Sequence, residues 1–256
     1  MIKKTLLATA AALSTLAVPT VAQADLAYNL GVVTDYRYRG ISQSRLKPAL
    51  QGGIDYTAGA FYLGAWASTI KWIKDAGTIS GVDAGSTQVE IDLYGGYKGE
   101  IVKDLGYDVG VLYYLYPSNK YGKIPGGSNA NTLEIYGAIS YGVFTGKYSH
   151  SLTNLFGAGG SSGLPNSKGS GYLDLSATFD LGSGFTVTPH FGLQQIRHFS
   201  VASYNDYSLT LAKDMGGGFS LSAALVATDA DKSLFVTPAG KFTGKNALVL
   251  GAKFGF

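Results

Sequence analysis

From residue 25 to the end of the chain, apolar and polar side chains alternate with a period of two over short segments, the pattern of a strand with two unlike faces. In 87–97, Val89, Ile91 and Leu93 share one face and Gln88, Glu90 and Asp92 the other. Leu173, Leu175, Ala177 and Phe179 oppose Asp174, Ser176, Thr178 and Asp180. Phe219, Leu221, Ala223 and Leu225 oppose Ser220, Ser222 and Ala224, and the last segment sets Leu248, Leu250, Ala252, Phe254 and Phe256 against Val249, Gly251, Lys253 and Gly255. The same rule predicts twelve strands, near 26–38, 49–56, 61–70, 87–97, 105–116, 132–141, 144–153, 171–180, 185–197, 206–215, 219–228 and 247–256.

The connections carry as much information as the strands. In order they span 10, 4, 16, 7, 15, 2, 17, 4, 8, 3 and 18 residues, so every odd connection is longer than every even one. The short ones are turn chemistry, such as Leu181-Gly182-Ser183-Gly184 and Gly216-Gly217-Gly218. Strict alternation puts all long loops at one end of the sheet and all tight turns at the other. That predicts an all-β fold: an up-and-down antiparallel transmembrane β-barrel of about 12 strands, with the apolar face toward lipid and the polar face toward the lumen. Closure follows because lipid cannot satisfy the open edge of a sheet. A soluble β-sandwich would need Greek-key crossings, which have no reason to segregate loop lengths.

Composition narrows the class further. Residues 1–24 have a basic start (Lys3, Lys4), an apolar run from Leu6 to Val18 and the ending Ala22-Gln23-Ala24, which together read as a signal peptide, leaving 25–256 as the barrel domain. All 36 Gly fall after it, a density that disfavours helices. No later apolar run is long enough for a transmembrane helix. With no Cys in an exported chain, a disulfide scaffold is excluded as well. Tyr36, Tyr38, Tyr56, Tyr107, Tyr113, Tyr141, Tyr148 and Phe256 lie near strand ends, where an interfacial aromatic girdle belongs.

The end of the chain, Gly251-Ala252-Lys253-Phe254-Gly255-Phe256, resembles the terminal signal of outer-membrane barrels, with Gly251, Phe254 and Phe256 as its marks and Val249 standing where a polar residue is usual. The resemblance implies that barrel assembly machinery reads this strand. A more specific likeness lies in Thr34-Asp35-Tyr36-Arg37-Tyr38-Arg39-Gly40-Ile41-Ser42-Gln43, Lys47-Pro48-Ala49-Leu50-Gln51-Gly52-Gly53-Ile54-Asp55-Tyr56 and Gly64-Ala65-Trp66-Ala67-Ser68. This run resembles the N-terminal signature of the TorF family of porin-like proteins of proteobacteria. The likeness extends less specifically through Glu90-Ile91-Asp92-Leu93-Tyr94-Gly95-Gly96-Tyr97 to the C-terminal strand. It implies a location in the outer membrane of a Gram-negative bacterium and a channel role, and it brings no catalytic residue and no substrate.

The formal net charge of +3 hides a division. The long connections carry Arg39, Arg45, Lys47, Lys71, Lys74, Lys120, Lys123, Lys168, Lys232, Lys241 and Lys245 against Asp75, Asp83, Asp229 and Asp231, a net of +7. The acids concentrate on the polar strand faces. The expected pore-lining residues are Asp35, Asp55, Glu90, Asp92, Asp108, Glu134 and Asp174, with Arg37, Lys147 and Lys253 as inward cations. A basic rim attracts lipopolysaccharide phosphates or anionic solutes, whereas an acidic lumen favours cations. Ion pairs such as Arg37 with Asp35 or Asp55 would instead fill the interior, as side chains do in small barrels. The loops 71–86, 117–131 and 154–170 are the candidates for narrowing the mouth.

No catalytic residue, cofactor or metal site is expected. His150 beside Ser149 or Ser151 is the one Ser-His juxtaposition, and no Gly-x-Ser-x-Gly elbow accompanies it. His190 is on a strand and His198 opens a loop. Gly157-Ala158-Gly159-Gly160 lacks the Lys-Ser/Thr of a phosphate loop and reads as a flexible surface segment. Asp229, Asp231 and Ser233 have the opening spacing of a calcium loop, but Leu234 replaces its Gly and Gly240 its closing Glu. The expected function is therefore passive diffusion of small hydrophilic or ionic solutes through a porin-like channel. The expected partners are outer-membrane lipid, lipopolysaccharide and those solutes, with no nucleic acid. The rival readings are a closed structural or adhesion barrel that binds through its long loops, and a barrel hydrolase.

Overall fold

The computed structural model describes residues 24–256, so the expected signal peptide lies, except for Ala24, outside the described residues. The chain forms β1 (Ala24–Val33), β2 (Arg37–Tyr38), β3 (Ile41–Ser42), β4 (Ala49–Ala58), β5 (Phe61–Thr69), α1 (Trp72–Ser80), β6 (Val89–Val102), β7 (Leu105–Leu115), β8 (Thr132–Tyr141), β9 (Phe144–Ser151), β10 (Gly171–Ala177), β11 (Phe179–Gly182), β12 (Phe185–Gln195), β13 (Tyr204–Gly216), β14 (Phe219–Thr228) and β15 (Ala247–Gly255).

Twelve staves run antiparallel, each paired with its neighbours in sequence, and β10 and β11 are one stave broken at Thr178, both pairing with β12. The ring closes where β15 pairs with β1, Leu30 opposite Phe254 and Val33 opposite Gly251. Phe256 and Tyr28 then exchange backbone hydrogen bonds of 2.9 and 3.0 Å. No described stave has an open edge, the closure expected of a barrel that spans lipid.

Register decides which face each residue takes. Asp92 lies opposite Tyr114, Glu134 opposite Ser151 and Ser222 opposite Gly251, so the polar residues stack inward. The intervening positions form a band of aliphatic side chains around the outside, with Leu30, Leu50, Leu63, Leu225 and Leu248 about 60% exposed. A protein in water does not leave such a continuous apolar belt uncovered. At the tight-turn rim Phe61 packs on Tyr97, Tyr97 on Tyr107 and Tyr28 on Phe256, and Tyr56 and Tyr141 face outward beside them.

One predicted strand is corrected. The first stave ends at Val33, not near residue 38, and the chain turns into the barrel. Residues 34–48 carry the two-residue strands β2 and β3, paired Tyr38 to Ile41. Tyr36 and Tyr38 therefore leave the expected interfacial girdle: Tyr36 is buried, and Tyr38 packs with it in an aromatic core at the long-loop mouth. The physical reason is the turn. Arg39 (φ 46°) and Gly40 (φ 78°) are both left-handed, the requirement of a type I′ hairpin, which no straight stave can contain.

Over the mouth, α1 and the loops around it bury Ile70, Ile73, Ala84, Tyr116 and Ala130, joined by Trp72, Tyr121 and Phe156. The helix ends on Gly81 at φ 67°, whose N–H caps the carbonyls of Gly77 and Thr78. A second cluster, Ile41, Tyr204 and Ala230 with Phe235 and Phe242, covers the opposite side. Gly157 and Gly159 are packed rather than loose: Gly127 bridges to Ala158 and Gly159 to Asn166.

Candidate functional site

The lumen has two unlike walls. On β4 to β9 it carries large polar side chains tied to one another. Tyr94 donates to Asp55 (2.5 Å), Tyr62 donates to Asp108 (2.6 Å) and also bonds Tyr136, and the Lys147 ammonium sits 3.8 Å from the centroid of the Tyr136 ring. Nearer the long loops, Glu90 accepts from Tyr36 (2.5 Å) and Tyr116 (2.7 Å). Asp92 is buried, and its Oδ1 has no hydrogen-bond partner.

The wall on β12 to β15 is lined instead by Thr188, Ser208, Thr210, Ala212, Ser222, Ala224 and Gly251, all short and all half-buried, so solvent reaches them inside the barrel. His190 stands where the two walls meet, Nε2 3.3 Å from Asp174 and Nδ1 3.7 Å from Asp206.

Of the ten expected lining residues, eight project from staves into the lumen: Asp55, Glu90, Asp92, Asp108, Glu134, Lys147, Asp174 and Lys253. Asp35 and Arg37 belong to the inward segment 34–48 rather than to the wall. They pair with each other at 2.6 Å, while Ser42 and Ser44 donate to Asp35 and Arg37 donates to the Gly40 carbonyl. That pair organises the hairpin and does not project from a stave.

Arg39 was expected on the basic rim and lies in the lumen. Its Nη2 donates to both oxygens of Glu134 on β8 (2.7 and 3.0 Å), and its Nη1 donates to Gln194 on β12 (2.7 Å). The guanidinium is sandwiched between Tyr38 and Tyr172, 4.8 and 4.2 Å from the ring centroids. Only 6% of the Arg39 side chain and 1% of the Glu134 side chain are exposed. Gly40, beside it, approaches β13 so closely that a Cβ would lie 2.7 Å from that of Asp206. A bulky residue in the left-handed region costs about 1–2 kcal/mol, and such strain persists where the surroundings hold it. Here two walls of the barrel do so. The sequence signal was Arg39-Gly40 between Tyr38 and Ile41, a two-residue turn inside what reads as one strand.

The terminal marks are placed on β15, with Gly251 facing the lumen beside Ser222 and Phe254 and Phe256 facing outward. His150 points away from the lumen while Ser149 and Ser151 point into it, so that dyad is not assembled. His198 Nδ1 lies 2.7 Å from the Asn166 carbonyl in a loop. Asp231 accepts from the backbone and hydroxyl of Ser233, which holds its carboxyl below the usual range. Among the described residues no group of His, Cys, Asp and Glu could hold a metal ion, and no helix is long and apolar enough to cross a membrane.

A family model described as a bacterial protein of unknown function (Gcw_chp) matches residues 19–256. The chain belongs to the Gcw_chp family. No curated protein matches this Gcw_chp chain in sequence. Among solved structures its fold is similar to that of the KdgM porin, with a TM-score of 0.52 at 7% identity over 91% of this chain and 99% of that one. A KdgM porin in complex with disordered oligogalacturonate gives 0.52 at 8% identity with the same coverage. The NanC porin gives 0.49 at 13% identity, covering 90% and 98%. At such identities the likeness concerns the barrel fold alone: Gcw_chp and KdgM share a porin-like architecture.

Proposed function

We propose that the protein is an outer-membrane channel through which small hydrophilic solutes, cations above all, diffuse along the β12 to β15 wall. The observation that supports this best is the lumen itself: a closed barrel, polar inside and apolar outside, in which the β12 to β15 wall keeps short, half-buried side chains along the middle of its staves. Its acids, Asp55, Glu90, Asp92, Asp108, Glu134, Asp174 and Asp206, face Arg39, Lys147 and Lys253, and that excess sets a field favouring cations. The oligogalacturonate of the KdgM complex is an acidic sugar chain, and the charge of this lumen argues for the opposite class of cargo. The TorF-like signature over 34–68 agrees with the channel reading.

The long loops face outward in this reading, and Lys71, Lys74, Lys120, Lys123, Lys168, Lys232, Lys241 and Lys245 meet lipopolysaccharide phosphates. The strand ending in Phe254 and Phe256 is offered to the assembly machinery. No reaction is assigned to the histidines. Purified protein, its folding checked by heat-modifiable gel mobility, is expected to give stepwise conductance in a planar bilayer. A salt-gradient reversal potential should show cation preference. Folded protein silent at high salt, with and without residues 34–48, would overturn the channel, and an anion preference would overturn the selectivity.

A further inference from the structure

One segment of the chain crosses the mouth of the barrel and is fastened to both walls. Residues 34–48 do this in order along the hairpin. Tyr36 bonds Glu90 on β6 (2.5 Å) and Tyr38 meets the Tyr114 hydroxyl on β7 (2.6 Å). Arg39 bridges β8 and β12, Gly40 rests against Asp206 on β13 and Thr228 on β14, and the Ser42 N–H donates to the Thr243 carbonyl in the last loop (3.1 Å). We propose that residues 34–48 form the gate of this barrel and that Arg39, bound to Glu134, is the latch that holds it shut; the inference rests on the channel reading above.

Two features distinguish a gate from a fixed plug. First, the tip is attached by side chains. Among the described residues, the backbone hydrogen bonds of 37–41 run within the hairpin, from Arg37 to Ser42 and Tyr38 to Ile41, and none joins a stave. A stave-to-stave ladder must be unzipped bond by bond, whereas the tip is freed once a few side chains let go. Second, the base is secured independently of the tip. The Thr34 N–H donates to Leu250 (2.9 Å), the Lys71 N–H donates to Gln43 (2.8 Å), and Arg45 forms an ion pair with Asp75 on α1. A segment tied at both ends and latched at its middle can swing without leaving the barrel.

Arg39 is the latch by chemistry as well as by position. A guanidinium offers its donors in a planar fork, so one group engages a carboxylate on one wall and an amide on the other while its faces stack on two tyrosines. Lys has neither the fork nor the planar face. Glu90, buried on β6, is held by Tyr36 of the same hairpin, and Asp92 is buried two residues further along that stave. Once Arg39 lets go, movement of the hairpin frees Glu134 and Glu90 at the mouth and widens the passage together.

The test compares single-channel conductance of the wild type, Arg39→Lys, the charge-relieved double variant Arg39→Ala/Glu134→Gln, and a chain whose residues 37–41 are replaced by Gly and Ser. Folding of each is verified by heat-modifiable mobility. The expected result is a several-fold rise in conductance or open probability for the double variant and the replaced hairpin, with Arg39→Lys between them and the wild type. If the wild type conducts and the variants conduct no better, the gate is overturned and the channel stands. If none of the four conducts, the channel reading falls and the gate with it. A silent wild type beside conducting variants supports both.

Discussion

The two walls of one lumen follow opposite rules. On β6 to β9 the inward positions hold Glu90, Asp92, Tyr94, Asp108, Tyr114, Glu134 and Tyr136, most of them buried and tied by phenolic hydroxyls. On β12 to β15 the positions in the middle of the staves hold Thr188, Thr210, Ala212, Ser222 and Ala224, and the side-chain ties gather instead at His190, Gln194 and Asp206. A barrel of uniform wall would either fill or stay open all round. This one concentrates its bulk on one side and holds the hairpin from both, through Glu90, Tyr114 and Glu134 on one wall and Gln194 on the other. Bulky and short inward side chains are thus assigned to different staves.

The largest effect is expected where that anchoring is severed from one side. In Glu134→Ala the Arg39 guanidinium stays buried without its partner, and breaking a buried pair this way costs about 3–5 kcal/mol. Removing both partners leaves no stranded charge, so Arg39→Ala/Glu134→Ala should lose clearly less than Glu134→Ala alone. Denaturant unfolding of the four corners of this cycle in detergent measures the coupling. Additive losses would mean that the pair is incidental to the packed wall.

The next test separates the inside of the small wall from its outside. Leu209 and Thr210 are neighbours in the middle of β13, one facing the apolar outside and one the lumen. Leu209→Arg places a charge near the bilayer midplane and should cost about 2–4 kcal/mol. Thr210→Arg points into water, should cost within about 0.5 kcal/mol, as surface changes do, and should instead lower the cation preference. Equal stability losses at the two sites would contradict the assignment of faces.

The staves were legible because a period of two and a long/short loop alternation are properties of every stave at once, and Thr132–Tyr141 and Phe219–Thr228 come out with the bounds the pattern predicts. The inward positions followed from the same period, which is why Glu134 and Asp174 could be named. The hairpin at 34–48 was not legible as such. Tyr28, Leu30, Val32, Tyr36 and Tyr38 keep the alternation through Val33, although the chain leaves the sheet there, because β2 is itself a short strand. What sends it inward is a set of contacts to residues as distant as Gln194 and Thr243, and no local pattern encodes these. Arg39 was misplaced for the same reason: by sequence distance from a strand it is a loop residue, and by contact it lies inside the barrel at its mouth.

A smaller contrast concerns space within the walls. A Cβ added at Gly64, on β5, would meet the Tyr94 ring at 2.3 Å, so Gly64→Ala must push Tyr94 off its hydrogen bond with Asp55. Overpacking of this kind costs about 1–3 kcal/mol. Ala224→Val adds bulk on the opposite wall, where its neighbours Val249 and Thr210 are half-buried and yield room, and should change stability by no more than about 0.5 kcal/mol while trimming conductance. Matching stability losses in the two variants would show that the small wall is packed as well.

The smallest effect is expected at the cap above the packed wall, where the loops 70–88 and 116–131 are clipped together in full contact with water. Lys120 bonds Asp83 at 2.9 Å, Asp83 accepts from the Gly85 N–H at 2.9 Å, and Gly85 bridges Asn119. The Lys120 bond, with the Gly85 N–H, holds the Asp83 carboxyl below the usual carboxylate range. A depressed carboxyl contributes its stability above its unfolded value, and the contribution fades as pH falls through the lowered one. Amide exchange at Gly85 and Asn119, taken relative to the intrinsic rate at each pH, should therefore be slow at neutral pH, faster in Asp83→Asn, and faster in the wild type only in acid below the ordinary Asp range. Added salt should speed it as well, since an exposed pair is screened. Conductance should not respond, because the aromatic core beneath, Trp72 against Tyr116 and Tyr121, holds the cap in place without the clip. A change in conductance with Asp83→Asn would mean that the cap, and not the hairpin below it, governs the mouth.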